Sequence, residues 1–172
     1  MKIIVTGGAG FIGSHVVDAY VQAGHRVVVV DDLSKGSRKN VNKRAKFYKA
    51  DICDEQALAR IFKKERPQIV NHHAAIATVA QVGKNTRDIM LVNGLGTWNV
   101  LNAFERYGRA PKRFIFISTA AAYNTNRFPA DEKQAGNPTT RYGLSKLVGE
   151  DMIRYFSNVH GMPYVIFRYS NV

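Results

Sequence analysis

Short β-branched apolar runs alternate along this chain with longer stretches of helical character. The short runs predict six strands, at residues 2–6, 26–31, 46–50, 68–72, 113–118 and 163–168. The longer stretches predict four helices, at residues 12–23, 55–64, 87–107 and 142–159. Gly24, Gly108 and Gly161 each follow a helical stretch. We expect all three to adopt the left-handed conformation that often ends a helix.

The alternation of strands and helices predicts an α/β fold, a Rossmann-like doubly wound parallel sheet with helices on both faces. Several strands are continuous apolar runs, which is typical of strands covered on both sides. We expect residues 1–172 to form a single domain, with an irregular loop beside the site at residues 124–140.

Composition narrows the class of protein. Hydrophobic residues make up 45% and charged residues 22% of the chain, which excludes a disordered or fibrous protein. Cys53 is the single cysteine, so no intrachain disulfide forms, and this suits a reducing compartment. The apolar runs are too short for a membrane span or a signal peptide, so we expect a cytoplasmic protein.

The net charge of +12 raises nucleic-acid binding as a rival function. No helix-turn-helix, zinc-ligand spacing or RNP-like aromatic motif accompanies the basic residues. We therefore expect a solvated basic surface and no nucleic-acid partner. His72 and His73 are adjacent in a predicted strand and face opposite sides of it, so we expect no metal site.

A glycine-rich turn follows the first predicted strand and precedes the first helix. Gly7, Gly10 and Gly13 have the spacing GxxGxxG. Glycines let the backbone turn tightly and approach a pyrophosphate, while the helix N-terminus supplies free N–H groups and a positive dipole. This position between strand and helix predicts a dinucleotide site.

An acidic residue at the end of the second strand predicts which dinucleotide binds. Asp31 lies eighteen residues beyond Gly13 and is placed to accept hydrogen bonds from the adenosine ribose hydroxyls. Its carboxylate would repel the extra phosphate of NADP, so NAD is favoured, although the nearby Lys35 and Arg38 soften that repulsion. Asp51, after the third strand, is within expected reach of the adenine edge.

Tyr142 and Lys146 are four residues apart and share one face of a predicted helix. We expect the lysine ammonium, together with the positive nicotinamide ring, to lower the pKa of the phenol and make it a usable base. Thr119 ends the fifth strand, where ligands sit in such sheets, and is predicted to hydrogen-bond the substrate oxygen and relay its proton to Tyr142.

Taken together, these residues resemble the extended short-chain dehydrogenase family, the NAD-dependent sugar-nucleotide epimerases and dehydratases. The resemblance spans essentially the whole chain and is strongest to UDP-glucose 4-epimerases. It rests on TGGAGFIG at 6–13, DDLSKG at 31–36, ADI at 50–52, HHAA at 72–75, Asn93 before GlyThr at 96–97, STAAAY at 118–123, YGLSK at 142–146 and FRYSNV at 167–172.

The resemblance implies a set of site residues. The implied NAD contacts are Gly7, Gly10, Phe11, Ile12, Gly13, Asp31, Asp32, Leu33, Ser34, Gly36, Asp51, Ile52, Ala74, Ala75, Asn93, Tyr142 and Lys146. The implied substrate contacts are Thr119, Tyr142 and Asn171, and the implied catalytic residues are Thr119, Tyr142 and Lys146.

The implied reaction is epimerisation of a nucleotide sugar. Tyr142 removes the proton of the 4-hydroxyl while hydride passes to the nicotinamide, and the keto sugar turns before the hydride returns to its other face. The family's dehydratases carry an acid after the strand-five hydroxyl, where this chain has Ala120 and Ala121. A nucleotide-sugar reductase or dehydratase, or an NAD-binding module without turnover, are the alternatives.

Two departures bear on activity and assembly. Asn124 stands where the family usually has glycine, and the sequence ends where the family enters a second, C-terminal substrate domain. We therefore expect these residues to bind NAD without turning over a nucleotide sugar. The family habit of pairing two long helices per subunit implies a possible homodimer, with Leu95, Val148 and Met152 on the outer face.

Overall fold

The computed structural model describes residues 1–77, 86–123 and 129–170. The strands are β1 (Lys2–Thr6), β2 (Arg26–Asp31), β3 (Lys46–Lys49), β4 (Ile69–His72), β5 (Arg113–Thr119) and β6 (Tyr164–Tyr169). The helices are α1 (Phe11–Gln22), α2 (Glu55–Glu65), α3 (Thr86–Met90), α4 (Thr97–Tyr107) and α5 (Arg141–His160), with a π-helical segment at Leu91–Gly96 between α3 and α4.

The sheet confirms the predicted doubly wound architecture. Its strand order is β3-β2-β1-β4-β5-β6, and every neighbouring pair is parallel. From β1 the chain adds strands first on one side of it (β2, β3) and then on the other (β4, β5, β6). The connection after β1 and the connection after β4 lie on opposite faces of the sheet. In open sheets of this kind, ligands bind outside the carboxyl ends of the strands at this reversal of strand order.

Alternate residues of the central strands fill two hydrophobic layers, as the two-residue period of a strand requires. Ile3 and Val5 pack with α1 on one face. Ile4 and Val70 pack on the other face, where α2, α4 and α5 contribute the rings of Phe62, Phe104 and Phe156 and their aliphatic neighbours. Because both faces of the central strands are covered, these strands have the continuous apolar sequences seen along the chain.

The structure corrects one glycine prediction and several element boundaries. Gly24 and Gly161 have left-handed backbone angles, but Gly108 has a φ of −59°. A Cβ on Gly108 would lie 2.6 Å from the Phe104 carbonyl oxygen, so close approach, and not the backbone angle, requires glycine there. The left-handed residue after α4 is Ala110.

The predicted helix at 87–107 is divided by the π-helical segment, and each of the other boundaries agrees with the prediction or shifts by one residue. No helix in the described ranges is both long and apolar enough to cross a membrane.

Candidate functional site

A cavity of about 640 Å³ lies at the carboxyl ends of β1 to β4. Ten of the residues predicted to contact NAD line it, namely Gly7, Gly10, Asp31, Asp32, Ser34, Gly36, Asp51, Ile52, Ala74 and Ala75. Nine further residues line it that the sequence did not indicate as contacts, namely Val30, Lys35, Ala50, His73, Ile76, Ala77, Asp88, Ile89 and Val92. The cavity therefore joins segments that are far apart in the chain.

The glycine-rich turn lies at one end of this cavity. Gly7 has a φ of +69°, and a Cβ there would lie 2.6 Å from the backbone nitrogen of Ala74. A Cβ on Gly13 would collide with the Gly7 carbonyl oxygen. Gly10 caps α1 without a side-chain hydrogen bond, so no side chain covers the N–H groups of the first turn. This arrangement fits a pyrophosphate at the start of α1.

The predicted contacts at Phe11, Ile12 and Gly13 belong to the first turn of α1 and do not line the cavity. Phe11 exposes 69% of its surface. The side chains of this turn therefore do not form the cavity wall, because α1 directs its first backbone N–H groups, and not its side chains, along the axis towards the glycine-rich turn.

Asp31 is buried at the wall of the cavity with a fixed orientation. Its Oδ2 accepts from the Ala9 N–H at 3.0 Å, and its Oδ1 accepts from the Leu33 N–H at 2.8 Å. Leu33 has a φ of +64° and packs against the α1 layer, so its side chain is not part of the cavity lining. The carboxylate thus presents its remaining acceptor positions without needing to reorganise.

The two basic residues beside Asp31 have different positions. The Arg38 guanidinium lies 4.8 Å from the centre of the Phe47 ring and does not line the cavity, whereas Lys35 does. Only Lys35 is therefore placed to soften the repulsion between Asp31 and a second phosphate.

The far side of the cavity carries two more acids, Asp51 and Asp88. Asp51 Oδ1 accepts from the Cys53 N–H at 2.8 Å, which fixes the turn after β3. Burial, with Asp51 nearby, raises the pKa of the Cys53 thiol to about 11, so this thiol is protonated at neutral pH. Asp88 reaches the site only because α3 packs over it, and no local sequence signal indicates this.

His72 and His73 diverge, as the strand geometry predicts. The His72 ring bonds Thr6 Oγ1 through Nδ1 at 2.6 Å and Thr97 Oγ1 through Nε2 at 2.9 Å. Because the Thr97 hydroxyl donates its proton to the Asn93 carbonyl, His72 must donate through Nε2 and accept from Thr6 at Nδ1. Burial holds the pKa of His72 well below its usual value, so the ring is neutral.

His73 faces the cavity instead. Burial and the neighbouring Lys146 lower its pKa to about 4, so its imidazole is also neutral. No group of three or more His, Cys, Asp or Glu residues in the described parts of the chain is arranged to hold a metal ion.

Asn93, an expected NAD contact, is held by hydrogen bonds to the protein. It is 1% exposed, its Oδ1 accepts from the Ile76 N–H at 2.8 Å, and its Nδ2 donates to the Ile76 carbonyl at 3.1 Å and to Ser145 Oγ at 2.9 Å. Its donors are therefore occupied by protein groups. Asn93 holds the cavity wall that contains Ala74 to Ile76, and it does not line the cavity itself.

Tyr142 and Thr119 meet at the ends of α5 and β5. Thr119 Oγ1 accepts from the Ala121 N–H at 3.1 Å, so its own proton remains available to the neighbouring Tyr142 phenol. Burial raises the pKa of Tyr142, and the nearby Thr119 hydroxyl partly opposes this effect. The two side chains are therefore neighbours at this edge of the sheet.

Lys146 lies inside the protein beside β5. It is 3% exposed, and its Nζ donates to the Ile117 carbonyl at 2.8 Å and lies 4.9 Å from the centre of the Phe116 ring. Burial lowers its pKa to about 7. Lys146 is not among the groups that shift the pKa of Tyr142 here, and its effect on the phenol together with the positive nicotinamide ring stays a prediction.

Asn171, the remaining predicted substrate contact, lies outside the described residues.

Comparison with known proteins identifies relatives over the whole chain. The model of the NAD dependent epimerase/dehydratase family matches residues 3–172. A putative UDP-glucose 4-epimerase of Methanocaldococcus jannaschii is 39% identical, over 99% of this chain and 55% of that protein. The chain thus spans about half the length of the curated relatives it matches.

Two solved structures are similar throughout the fold. A UDP-glucose 4-epimerase from Thermotoga maritima, solved with UDP-glucose, has a TM-score of 0.93 and 41% identity, covering 98% of this chain and 55% of that one. A Thermus thermophilus UDP-glucose 4-epimerase in complex with NAD has a TM-score of 0.91 and 34% identity, covering 98% and 55%.

Proposed function

We propose that this chain, which belongs to the NAD dependent epimerase/dehydratase family, supplies the NAD site and the proton-transfer residues of a nucleotide-sugar epimerase. The observation that carries the proposal is the cavity that the glycine-rich turn and Asp31 line at the carboxyl edge of the sheet, where β5 ends in Thr119 beside Tyr142 of α5. Pyrophosphate binding and proton transfer serve different parts of one reaction, and residues suited to each at the carboxyl edge of one sheet support the proposal.

The cavity fits NAD by the chemistry of its lining. Gly7 and the uncapped start of α1 would hold the pyrophosphate, and Asp31 would accept from the ribose hydroxyls. Four expected NAD contacts do not line the cavity and would contact NAD through backbone atoms, namely Phe11, Ile12, Gly13 and Leu33. A bound NAD would supply the nicotinamide ring that accepts hydride from the sugar carbon and gives it back.

The proton is handled by the chain itself. Its raised pKa keeps the Tyr142 phenol protonated, which suits the return of a proton to the sugar oxygen. Removal of the hydroxyl proton requires the phenolate, and the Thr119 hydroxyl favours that form by donating to its oxygen. Lys146 lies one helical turn from Tyr142 and would bind the cofactor's ribose. Its pKa of about 7 means that the ammonium and neutral amine forms are both populated at neutral pH.

The substrate class is inferred from the relatives and from one local feature. Relatives named as UDP-glucose 4-epimerases match the chain from end to end, so a UDP-sugar interconverted between glucose and galactose forms is the first substrate to test. Ala120 and Ala121 follow Thr119 in a short 3₁₀ turn and provide no acid to eliminate water. This favours epimerisation over dehydration.

The test is coupled epimerisation of UDP-glucose and UDP-galactose by the full-length protein with NAD supplied. We expect Tyr142→Phe to lower turnover at least about 100-fold, as loss of a general acid/base does, with NAD affinity nearly unchanged. Tyr155→Phe is the matched control, because Tyr155 lies on the same helix and is 50% exposed. A Tyr142→Phe protein that epimerises at the wild-type rate would refute the assignment.

A further inference from the structure

A third residue shares the helix face of Tyr142 and Lys146. Glu150 follows Lys146 by four positions on α5 and is fully buried. Its carboxylate accepts from Ser118 Oγ at 2.6 Å, from Arg154 at 2.8 Å, and from Arg168 at 2.8 Å and 2.7 Å. Four donors thus fill the acceptor positions of one carboxylate.

These donors come from three elements. Arg154 belongs to α5 itself and its side chain is 41% exposed, so its contact adds no link between elements. Arg168 belongs to β6 and also lies 4.4 Å from the centre of the Tyr123 ring. Ser118 is the link to β5, and the next residue on that strand is Thr119.

The carboxylate remains ionised in this environment. Burial by itself would raise the pKa of Glu150, but the hydrogen bonds from Arg168 and Ser118 lower it below its usual value. A buried ion pair is often no more stabilising than apolar residues of the same volume. Its directional contacts, in contrast, define one relative position of the elements they join.

We propose that Glu150 is a positioning residue for the proton-transfer pair, and that its hydrogen bond with Ser118 sets α5 against the end of β5 so that Tyr142 meets Thr119. The inference deepens the proposed function, because that function assigns Tyr142 and Thr119 their roles. The coupling of the Ser118 hydrogen bond to the Tyr142 and Thr119 pair is measurable without substrate or cofactor.

The experiment is a double-mutant cycle on the titration of Tyr142. Tyrosine labelled with ¹³C at Cζ reports each phenol by NMR, and Tyr142→Phe assigns the resonance of interest. Thr119→Val should raise the pKa of Tyr142, because it removes a donor to the phenolate. In the Ser118→Ala background we expect this rise to fall to about half or less, since coupled sites are not additive.

Two further variants separate positioning from general stability. Arg154→Ala removes a partner of the same carboxylate without touching the link to β5, so the effect of Thr119→Val should keep its wild-type size. Ser118→Thr retains the hydroxyl and should restore the coupling. Thermal unfolding of each variant is recorded by circular dichroism to confirm that it is folded at the temperature of the titration.

The inference is overturned if Ser118→Ala lowers the melting temperature but leaves the effect of Thr119→Val at full size. It is equally overturned if Thr119→Val does not change the Tyr142 titration in the wild-type background. A protein that shows the coupling but does not epimerise would refute the proposed reaction alone. One that epimerises while Ser118→Ala keeps full coupling would refute the positioning role alone.

Discussion

Replacing Lys146 with methionine should stabilise the protein while weakening its function. The substitution keeps an unbranched side chain of similar length and removes a charge from a site that is 3% exposed. Burial lowers the pKa of Lys146 from 10.5 to about 7, which corresponds to about 5 kcal/mol against the ammonium form. Methionine gives up the contacts with the Phe116 ring and the Ile117 carbonyl, so we expect a net gain of about 2–3 kcal/mol in the free energy of unfolding at pH 7.

The stability gained by Lys146→Met depends on pH, because the pKa of Lys146 is lower in the folded protein than in the unfolded chain. Above pH 7 the folded protein releases the Lys146 proton, while the unfolded chain keeps it until about pH 10.5. The unfolded state then binds more protons, so the stability of the wild type rises with pH by about 1.4 kcal/mol per pH unit. The advantage of Lys146→Met should be largest below pH 7 and vanish near about pH 9.

The assay is urea unfolding of wild type and Lys146→Met between pH 6 and pH 9. The difference between their free energies of unfolding removes the contributions of the other titrating groups, which both proteins share. Lys64→Met, at an exposed position of α2, is the matched control and should show no such pH dependence. NAD titrations on the same proteins should show weaker binding by Lys146→Met. A variant that is less stable than wild type at pH 6, or a difference that does not change with pH, would refute the reasoning.

Three further predictions concern cofactor choice, acid stability and association. Calorimetry should show tighter binding of NAD than NADP, and Asp31→Ala should narrow that difference; equal affinities in the wild type would contradict the role of Asp31. Burial by itself would raise the pKa of Glu65, but Lys46 and its other partners lower it to about 2, so Glu65→Gln should reduce the unfolding free energy by about 2–3 kcal/mol at neutral pH. That loss should disappear as pH falls from about 4.5 towards 2, and a pH-independent loss would point to packing instead. Light scattering at tens of micromolar should give a dimer through the exposed face around Leu95 and Trp98, and a monomeric mass would count against it.

The fold was largely predictable because its signals are local and repeated. The central strands of a parallel sheet are covered on both faces, so β1 and β2 appear in the sequence as unbroken apolar runs with the observed boundaries. The glycine-rich turn was equally visible, because Gly7 and Gly13 each fill a position where a side chain would meet the backbone. Helix ends were less certain, and the π-helical segment left no periodic signature.

The contacts inside the site were less predictable because they depend on partners distant in sequence. Asn93 turned out to hold Ile76 and Ser145, and Lys146 to bond Ile117, once their neighbours were packed around them. Glu150 continues the four-residue spacing of Tyr142 and Lys146 along the helix, and this repeat is a sequence signal for a third residue on that helix face. Its link to Ser118 is a tertiary contact that spacing does not reveal.

The central claim is that the cavity at the carboxyl edge is an NAD site, and calorimetric titration of NAD into three proteins tests it most directly. The wild type should bind one NAD per chain. Gly7→Ala should bind at least about tenfold more weakly, since its Cβ would lie 2.6 Å from the Ala74 nitrogen beside the cavity. Gly24→Ala incurs a similar left-handed strain, at a φ of +78° with no atom within 4 Å, and should bind like the wild type. No NAD binding by the wild type, or equal binding by all three proteins, would contradict the account.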